Sequence, residues 1–268
     1  VQHPIGVFDS GVGGLTVLKA LRRRLPCHDY LYFGDTARVP YGRKPREMVK
    51  TFAEQISNFL VDQGAEAIVI ACNTASAASL PELADKLPVP VWGVIGPGVE
   101  AARRATKTGR VGVIGTRGTI DSGAYQRRLE AAGLQVWARA CPMLVHVVEE
   151  GLANSEEADV LVRHYLSGRP EMDTLILGCT HYPLLRDAIQ RVVGPDVMLV
   201  ESAEAIAAAL AQELGECTGR NDPQIRHYVT GDVVAYRHTA QVIGELDGEV
   251  LPLDVTSLSR KPVSCAKM

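Results

Sequence analysis

Ile68-Val69-Ile70-Ala71-Cys72-Asn73-Thr74 decides the reading of this chain, because it returns as Leu175-Ile176-Leu177-Gly178-Cys179-Thr180-His181. Each stretch is a short apolar run that ends in a cysteine and then turns polar, and the cysteines stand 107 residues apart (179 − 72 = 107). An unbroken run of this kind fits a strand buried on both faces, as in a parallel sheet covered by helices. Ile5-Gly6-Val7-Phe8-Asp9-Ser10 likewise matches Val111-Gly112-Val113-Ile114-Gly115-Thr116 at 111 − 5 = 106, and Val91–Val94 matches Val197–Val200 at 197 − 91 = 106. Val/Ile/Gly runs recur by chance in any parallel sheet, but matches that keep one order and nearly one spacing favour two related halves.

Outward from these stretches, strands are predicted near Ile5–Phe8, Tyr30–Phe33, Ala67–Ala71, Val91–Val94, Val111–Ile114, Val136–Ala140, Thr174–Leu177, Val197–Val200 and His227–Thr230. Between them Val49, Phe52, Ile56, Phe59 and Leu60 share one helical face, with Gly64 as the stop, and similar stripes run through Leu15–Leu25, Val160–Leu166 and Leu184–Val193. The expected class is α/β, with mainly parallel sheets flanked by helices.

The 268 residues are 46% hydrophobic, enough for one large or two small cores. Lys and Arg number 28 and Asp and Glu 31, and the formal net charge of −3 gives no pull toward nucleic acid or an anionic membrane. Arg22-Arg23-Arg24 reads as a solvated helix face. No stretch approaches a run of about 18 apolar residues, and Val1-Gln2-His3-Pro4-Ile5 has no basic, leader-like start, so a soluble cytoplasmic protein is expected. None of the six cysteines (Cys27, Cys72, Cys141, Cys179, Cys217, Cys265) has metal-ligand spacing, and a chain of this size needs no staples; free thiols and no metal are the expectation.

Parallel sheets bind ligands beyond the carboxyl ends of their strands. Asp9-Ser10, Asp35-Thr36, Cys72-Asn73-Thr74, Thr116 and Cys179-Thr180-His181 all follow predicted strands, so facing halves would enclose a substrate with one cysteine on each side. A lone cysteine after a core strand is ordinarily an inert small hydrophobe. Two at matched positions, each at a turn where a helix N-terminus lowers a thiol pKa from about 8.5, suggest paired acid and base. Moving a proton from one face of a carbon to the other calls for two opposed groups, one ionised and one protonated. A cysteine hydrolase built on Cys179 and His181 competes with this reading but leaves Cys72 unexplained.

Asp9-Ser10-Gly11-Val12-Gly13-Gly14 is not a dinucleotide fingerprint, since Thr16 stands where the third glycine belongs, and no phosphate-binding P-loop is present. A carboxylate-binding turn and a purely structural tight turn both remain open. In the turn-rich Gly34–Gly42 the Tyr41 hydroxyl and the Gly42 N–H are candidate carboxylate donors, although composition alone says only loop. By composition Glu149 and Glu150 are a solvated helical charge pair, and His181 gains interest from lying two residues past a candidate thiol.

At Ile5–Leu15, Gly34–Gly42, Ala71–Ser76, Gly93–Gly98 and Leu177–Leu185 the chain resembles the glutamate racemases of the aspartate/glutamate racemase superfamily, in family order and over most of its length to about residue 240. The resemblance implies two pseudo-symmetric α/β domains with the site between them, the first discontinuous (1–96 plus 208–268) and the second 97–207. It implies cofactor-independent interconversion of L- and D-glutamate, without pyridoxal phosphate or metal, supplying D-glutamate for peptidoglycan. Cys72 would act on D-glutamate with Asp9 assisting, and Cys179 on L-glutamate with His181 and Glu149 assisting. Asp9, Ser10, Tyr41, Gly42, Asn73, Thr74, Thr116, Thr180 and His181 would line the substrate site. The partners expected are glutamate and a second copy of the chain, with neither nucleic acid nor membrane. Departures are Glu201-Ser202 in place of Asp-Ser and His146 in place of a proline, close to Glu149. Aspartate racemisation, or carboxylate binding without catalysis, is the alternative.

Overall fold

In the computed structural model, which describes residues 4–215, 223–243 and 246–259, ten strands form two wholly parallel sheets. The strands are β1 (Ile5–Asp9), β2 (Tyr30–Gly34), β3 (Ala67–Ile70), β4 (Val91–Gly93), β5 (Arg110–Gly115), β6 (Gln135–Ala140), β7 (Thr174–Gly178), β8 (Met198–Glu201), β9 (Ile225–Val229) and β10 (Glu249–Pro252). The six-stranded sheet runs β10-β9-β2-β1-β3-β4 and the four-stranded sheet β6-β5-β7-β8. The second order repeats the last four strands of the first, β2-β1-β3-β4, so the spacing of 106–107 in the sequence is a repeated topology. Register agrees, since Ile5 pairs with Tyr30 and Ala67 while Val111 pairs with Val136 and Thr174.

Eleven helices among the described residues cover the sheets: α1 (Leu15–Arg24), α2 (Arg46–Asp62), α3 (Asn73–Lys86), α4 (Ile95–Ala105), α5 (Arg117–Asp121), α6 (Ala124–Ala131), α7 (Met143–Glu149), α8 (Glu156–Leu166), α9 (Arg186–Val193), α10 (Ser202–Leu214) and α11 (Val233–Ile243). The apolar stripe of α2 buries Val49, Ala53, Ile56 and Leu60 beneath the first sheet. Gly64, at φ +94°, then ends the helix, its N–H donating to Val61 O at 2.9 Å while Ala65 N–H reaches Leu60 O. On the opposite face Leu15, Leu18 and Leu21 of α1 pack with Ile206 and Leu210 of α10 over Val7 and Val69. In the second half Val162 and Ile189 lie on one face of the sheet and Val99 and Leu129 on the other. Helices on both faces explain why β1, β2, β3 and β7 are buried at every residue. The pairs 96/97 and 207/208, where the domains were expected to divide, fall within α4 and α10.

Two expectations are corrected. A tenth strand, β10, was not predicted; it is short, begins with Glu249 and ends in Pro252, and buries only Val250, so it carries little apolar signal. Cys27 is not a free thiol but is disulfide-bonded. Chain size bears on whether a disulfide is needed, whereas its formation depends on which sulfurs the fold brings together. Cys72, Cys141 and Cys179 are free and buried, while Cys217 and Cys265 lie outside the described residues. No helix among those described is long and apolar enough to cross a membrane. Arg22 and Arg23 make exposed ion pairs with Asp247 and Glu204, as a solvated helix face does.

Candidate active site

The carboxyl ends of β3 and β7 open on one cavity of about 110 Å³ between the two sheets. Ser10, Tyr41, Gly42, Cys72, Asn73 and Thr74 form its wall on one side. Thr116, Glu149, Cys179, Thr180 and His181 face them from the other. Of the site residues named from sequence, only Asp9 does not line the cavity.

Cys72 is the N-cap of α3 and lies 3.8 Å from Ser10 Oγ. The expected lowering by the helix N-terminus is overruled here. Burial and the nearby Asp9 carboxylate push the Cys72 thiol up to about 12, against smaller opposing effects of the Ala75 N–H and the Ser10 hydroxyl. Cys179 follows β7 and leads into a short 3-10 turn (Tyr182–Leu185), with Pro183 in its first turn, that runs on into α9. Its Sγ lies 3.8 Å from His181 Nδ1, and His181 Nε2 lies 3.1 Å from Glu149 Oε1. Burial alone would lower His181, but Cys179 and Glu149 outweigh it and raise the imidazole to about 10. Burial likewise opposes ionisation of Glu149, yet His181, with His146 adding to it, holds that carboxyl below its usual range. The thiols thus sit in opposite fields, an imidazolium beside Cys179 and a carboxylate beside Cys72.

Asp9 is fully buried behind Cys72. Its Oδ2 accepts the Gly11 N–H at 2.9 Å and its Oδ1 faces the Thr180 hydroxyl at 3.5 Å. Burial raises the Asp9 carboxyl above the ordinary carboxylate value despite His181 and the N–H groups of Gly11 and Gly14. At least one N–H of the glycine-rich turn is therefore spent on Asp9. The turn also admits the second half: a Cβ at Gly13 would lie 2.3 Å from Thr180 Oγ1 and 2.5 Å from His181 Nδ1. Reciprocally, Thr74 reaches across to Thr116 Oγ1 at 2.8 Å and Thr119 Oγ1 at 3.2 Å.

Tyr41 departs from its expected use. Its hydroxyl donates to Asp35, which also accepts from Arg38 Nε at 2.7 Å and Thr230 Oγ1 at 2.8 Å, so it is committed away from a ligand. Asn73 presents the converse case, because its buried Nδ2 has no protein partner. Glu149, which composition reads as solvated, is drawn in by His181; Glu150 stays exposed. Sequence reasoning did not single out Arg43, Arg117, Pro142 and Val145, which complete the cavity wall with His146. Arg43 and Arg117 adjoin Gly42 and Thr116, and that adjacency was the available signal. Glu201 keeps a carboxylate role of its own as the partner of Arg186. Among the described residues no group of three or more His, Cys, Asp or Glu is placed to hold a metal ion.

Two facing parallel sheets with a thiol at each of two matched strand ends define an acid/base enzyme of racemase type, and the chain belongs to the Asp/Glu/hydantoin racemase family, whose model matches residues 14–210. Within that family it is a member of the glutamate racemases. A glutamate racemase of Thermus thermophilus is 55% identical over 249 residues, covering 91% of this chain and 93% of the relative. The crystal structure of a Thermus thermophilus glutamate racemase in complex with β-chloro-D-alanine superposes with TM-score 0.87 at 50% identity, over 95% of this chain and 98% of that one. That of the Francisella tularensis glutamate racemase in complex with D-glutamate gives TM-score 0.87 at 35% identity, over 96% and 99%.

Proposed function

We propose that the chain interconverts L- and D-glutamate by passing the α-hydrogen between two thiols, Cys179 serving L-glutamate and Cys72 serving D-glutamate. The observation that carries this reading is that the two cysteines, from equivalent strand ends of opposite halves, line one cavity. With L-glutamate bound, the Cys179 thiolate, held against the His181 imidazolium, takes the α-proton. The Cys72 thiol, which burial and Asp9 keep protonated, delivers one to the opposite face. Glu149 keeps His181 charged and oriented. The Asn73 amide and the hydroxyls of Ser10, Thr74, Thr116 and Thr180 are donors for the substrate carboxylates, with the Gly42 backbone at the wall. The chain's own residues supply both proton carriers, so pyridoxal phosphate and metal are not needed. The product would serve peptidoglycan synthesis, and the enzyme would work in the cytoplasm as a homodimer in two domains, 1–96 plus 208–268 and 97–207.

Circular dichroism of purified protein with L-glutamate or L-aspartate, with and without chelator or carbonyl reagent, tests the reading. Racemisation of glutamate well above aspartate, unaffected by either reagent, is expected. Inert glutamate, faster aspartate or a need for restored metal or pyridoxal phosphate would overturn it.

A further inference from the structure

A carboxamide has two opposite ends, and only one of them suits a dicarboxylate. Turned with its NH2 into the cavity, Asn73 donates to a substrate carboxylate; turned with its oxygen there, it repels one. Resting on the reading that glutamate occupies the cavity, we infer that Tyr125, with Ser202 beside it, fixes which end of the Asn73 amide faces the substrate.

Tyr125 of α6 donates its hydroxyl to Asn73 Oδ1 at 2.7 Å. Ser202, the first residue of α10, places Oγ 3.4 Å from the same oxygen and 3.2 Å from the Tyr125 hydroxyl. All three side chains are buried, at 0% exposure for Tyr125, 2% for Asn73 and 3% for Ser202, so water does not compete for these groups. Oδ1 is held from behind by the Tyr125 hydroxyl, with the Ser202 hydroxyl, which also faces Leu177 O at 3.4 Å, as a second donor in reach, and Nδ2 is the end left without a protein partner. An unpartnered buried donor is costly unless a ligand takes it.

The surroundings keep this route clear. A Cβ at Gly98 would come within 3.2 Å of the Tyr125 hydroxyl, and one at Gly178 within 3.3 Å of Tyr125 Cε2. The residue just past Gly178 is Cys179, so the phenol lies against the strand that carries a catalytic thiol. Burial raises the phenol's pKa, and it remains a donor across the assay range. Tyr125 and Ser202 are positioning residues, since neither lines the cavity. Without the phenolic hydroxyl only Ser202 Oγ remains, which accepts as readily as it donates and gives the amide little reason to prefer one orientation.

The test is a double-mutant cycle of Tyr125→Phe with Asn73→Asp, read as KM and kcat for both enantiomers, with Ser202→Ala alongside. Tyr125→Phe should raise KM about 5- to 30-fold, the range of one buried hydrogen bond, with kcat changed less than about threefold. The carboxylate introduced by Asn73→Asp has no amide to turn, so adding Tyr125→Phe to that variant should change KM by less than about twofold. Ser202→Ala, at the longer distance, should raise KM about two- to fourfold. An unchanged KM in Tyr125→Phe, or the same KM factor in both backgrounds, overturns the inference. Should Tyr125→Phe fail to fold, an unchanged KM in Ser202→Ala overturns it and a raised one supports it. Wild-type protein that racemises glutamate while the variants match it removes this inference alone; wild-type protein inert on glutamate removes the functional reading as well.

Discussion

Glu149→Gln isolates the charge that keeps His181 protonated, because the amide retains an oxygen 3.1 Å from Nε2 to accept the same hydrogen bond. Burial opposes the imidazolium, and Cys179 and Glu149 together raise it from 6.5 to about 10. Hydrogen bonds to charged groups are worth about 1.5–3 kcal/mol. The Glu149 side chain is 34% exposed, so solvent screening brings the lost contribution to about 1–2 kcal/mol. That predicts a fall in kcat/KM of roughly 5- to 30-fold at the alkaline end and an alkaline limb about one pH unit lower. The sign follows from the proposed mechanism, in which His181 acts in its protonated form: that form is lost as pH rises, and a weakened imidazolium is lost sooner. The effect must be equal in both directions, since the enantiomers have equal free energy in water and kcat/KM for the two directions is tied to their equilibrium. The assay is the pH profile of kcat/KM from L- and from D-glutamate by circular dichroism. An alkaline limb in the wild-type position, with rates within about twofold at pH ~9, would refute the role given to Glu149.

Stability should follow the same linkage. The raised imidazole contributes fully below its unfolded value of 6.5 and loses that contribution as pH rises to about 10, whereas Glu149, whose pKa is lowered, contributes only above its ordinary 4.5. The Tm difference between wild type and Glu149→Gln should therefore be largest near pH ~5–6.5 and vanish above about 10; a difference that grows with pH contradicts it. Gly13→Ala places a methyl 2.3 Å from Thr180 Oγ1 and should cost about 1–3 kcal/mol by thermal melts, with a larger fall in kcat because His181 moves; unchanged activity would mean that the contact yields freely. Tyr41→Phe removes a hydroxyl bonded to Asp35 and should lower stability by about 1 kcal/mol while KM for glutamate stays within about threefold; a large KM change would restore that hydroxyl to the substrate site.

The sheets were legible because their central strands are buried on both faces and so read as continuous apolar runs; β10, with a charged start and a proline end, did not. The thiol pair was legible through repetition, not through either cysteine alone. The partners of those thiols were harder. Glu149 lies 32 residues from His181 in the chain, and the charge pattern of a short helix gives no sign that one of two adjacent glutamates is drawn inward. Tyr125 and Ser202 lie 52 and 129 residues from Asn73, and nothing local marks them. Residue type suggested that the Tyr41 hydroxyl served a ligand, whereas Asp35, six residues earlier, takes it first. Turn chemistry predicted a lowered Cys72 thiol, but the fold seals that sulfur beside Asp9, and desolvation outweighs the helix terminus.

The halves repeat in topology but differ in charge, with a histidine beside Cys179 and an aspartate near Cys72, and the proposed mechanism uses that difference to set a base on one side of the cavity and an acid on the other. On the proposed mechanism Cys72, kept a thiol by burial and Asp9, faces Cys179 beside the His181 ring, and one turnover of L-glutamate shifts the proton load from Cys72 to Cys179. Replacing either cysteine by alanine should lower racemisation in both directions by about 10²–10⁴-fold, since each crossing uses both groups.

The most direct test of two opposed thiols is the fate of the α-hydrogen during the first turnovers of L-glutamate in D₂O, followed by mass spectrometry of the separated enantiomers. Two thiols on opposite faces should yield D-glutamate carrying deuterium at the α-carbon, delivered by a solvent-equilibrated Cys72, while unreacted L-glutamate carries little. D-glutamate that keeps its original protium would mean that one group carries the same proton from face to face, and would contradict the two-thiol mechanism.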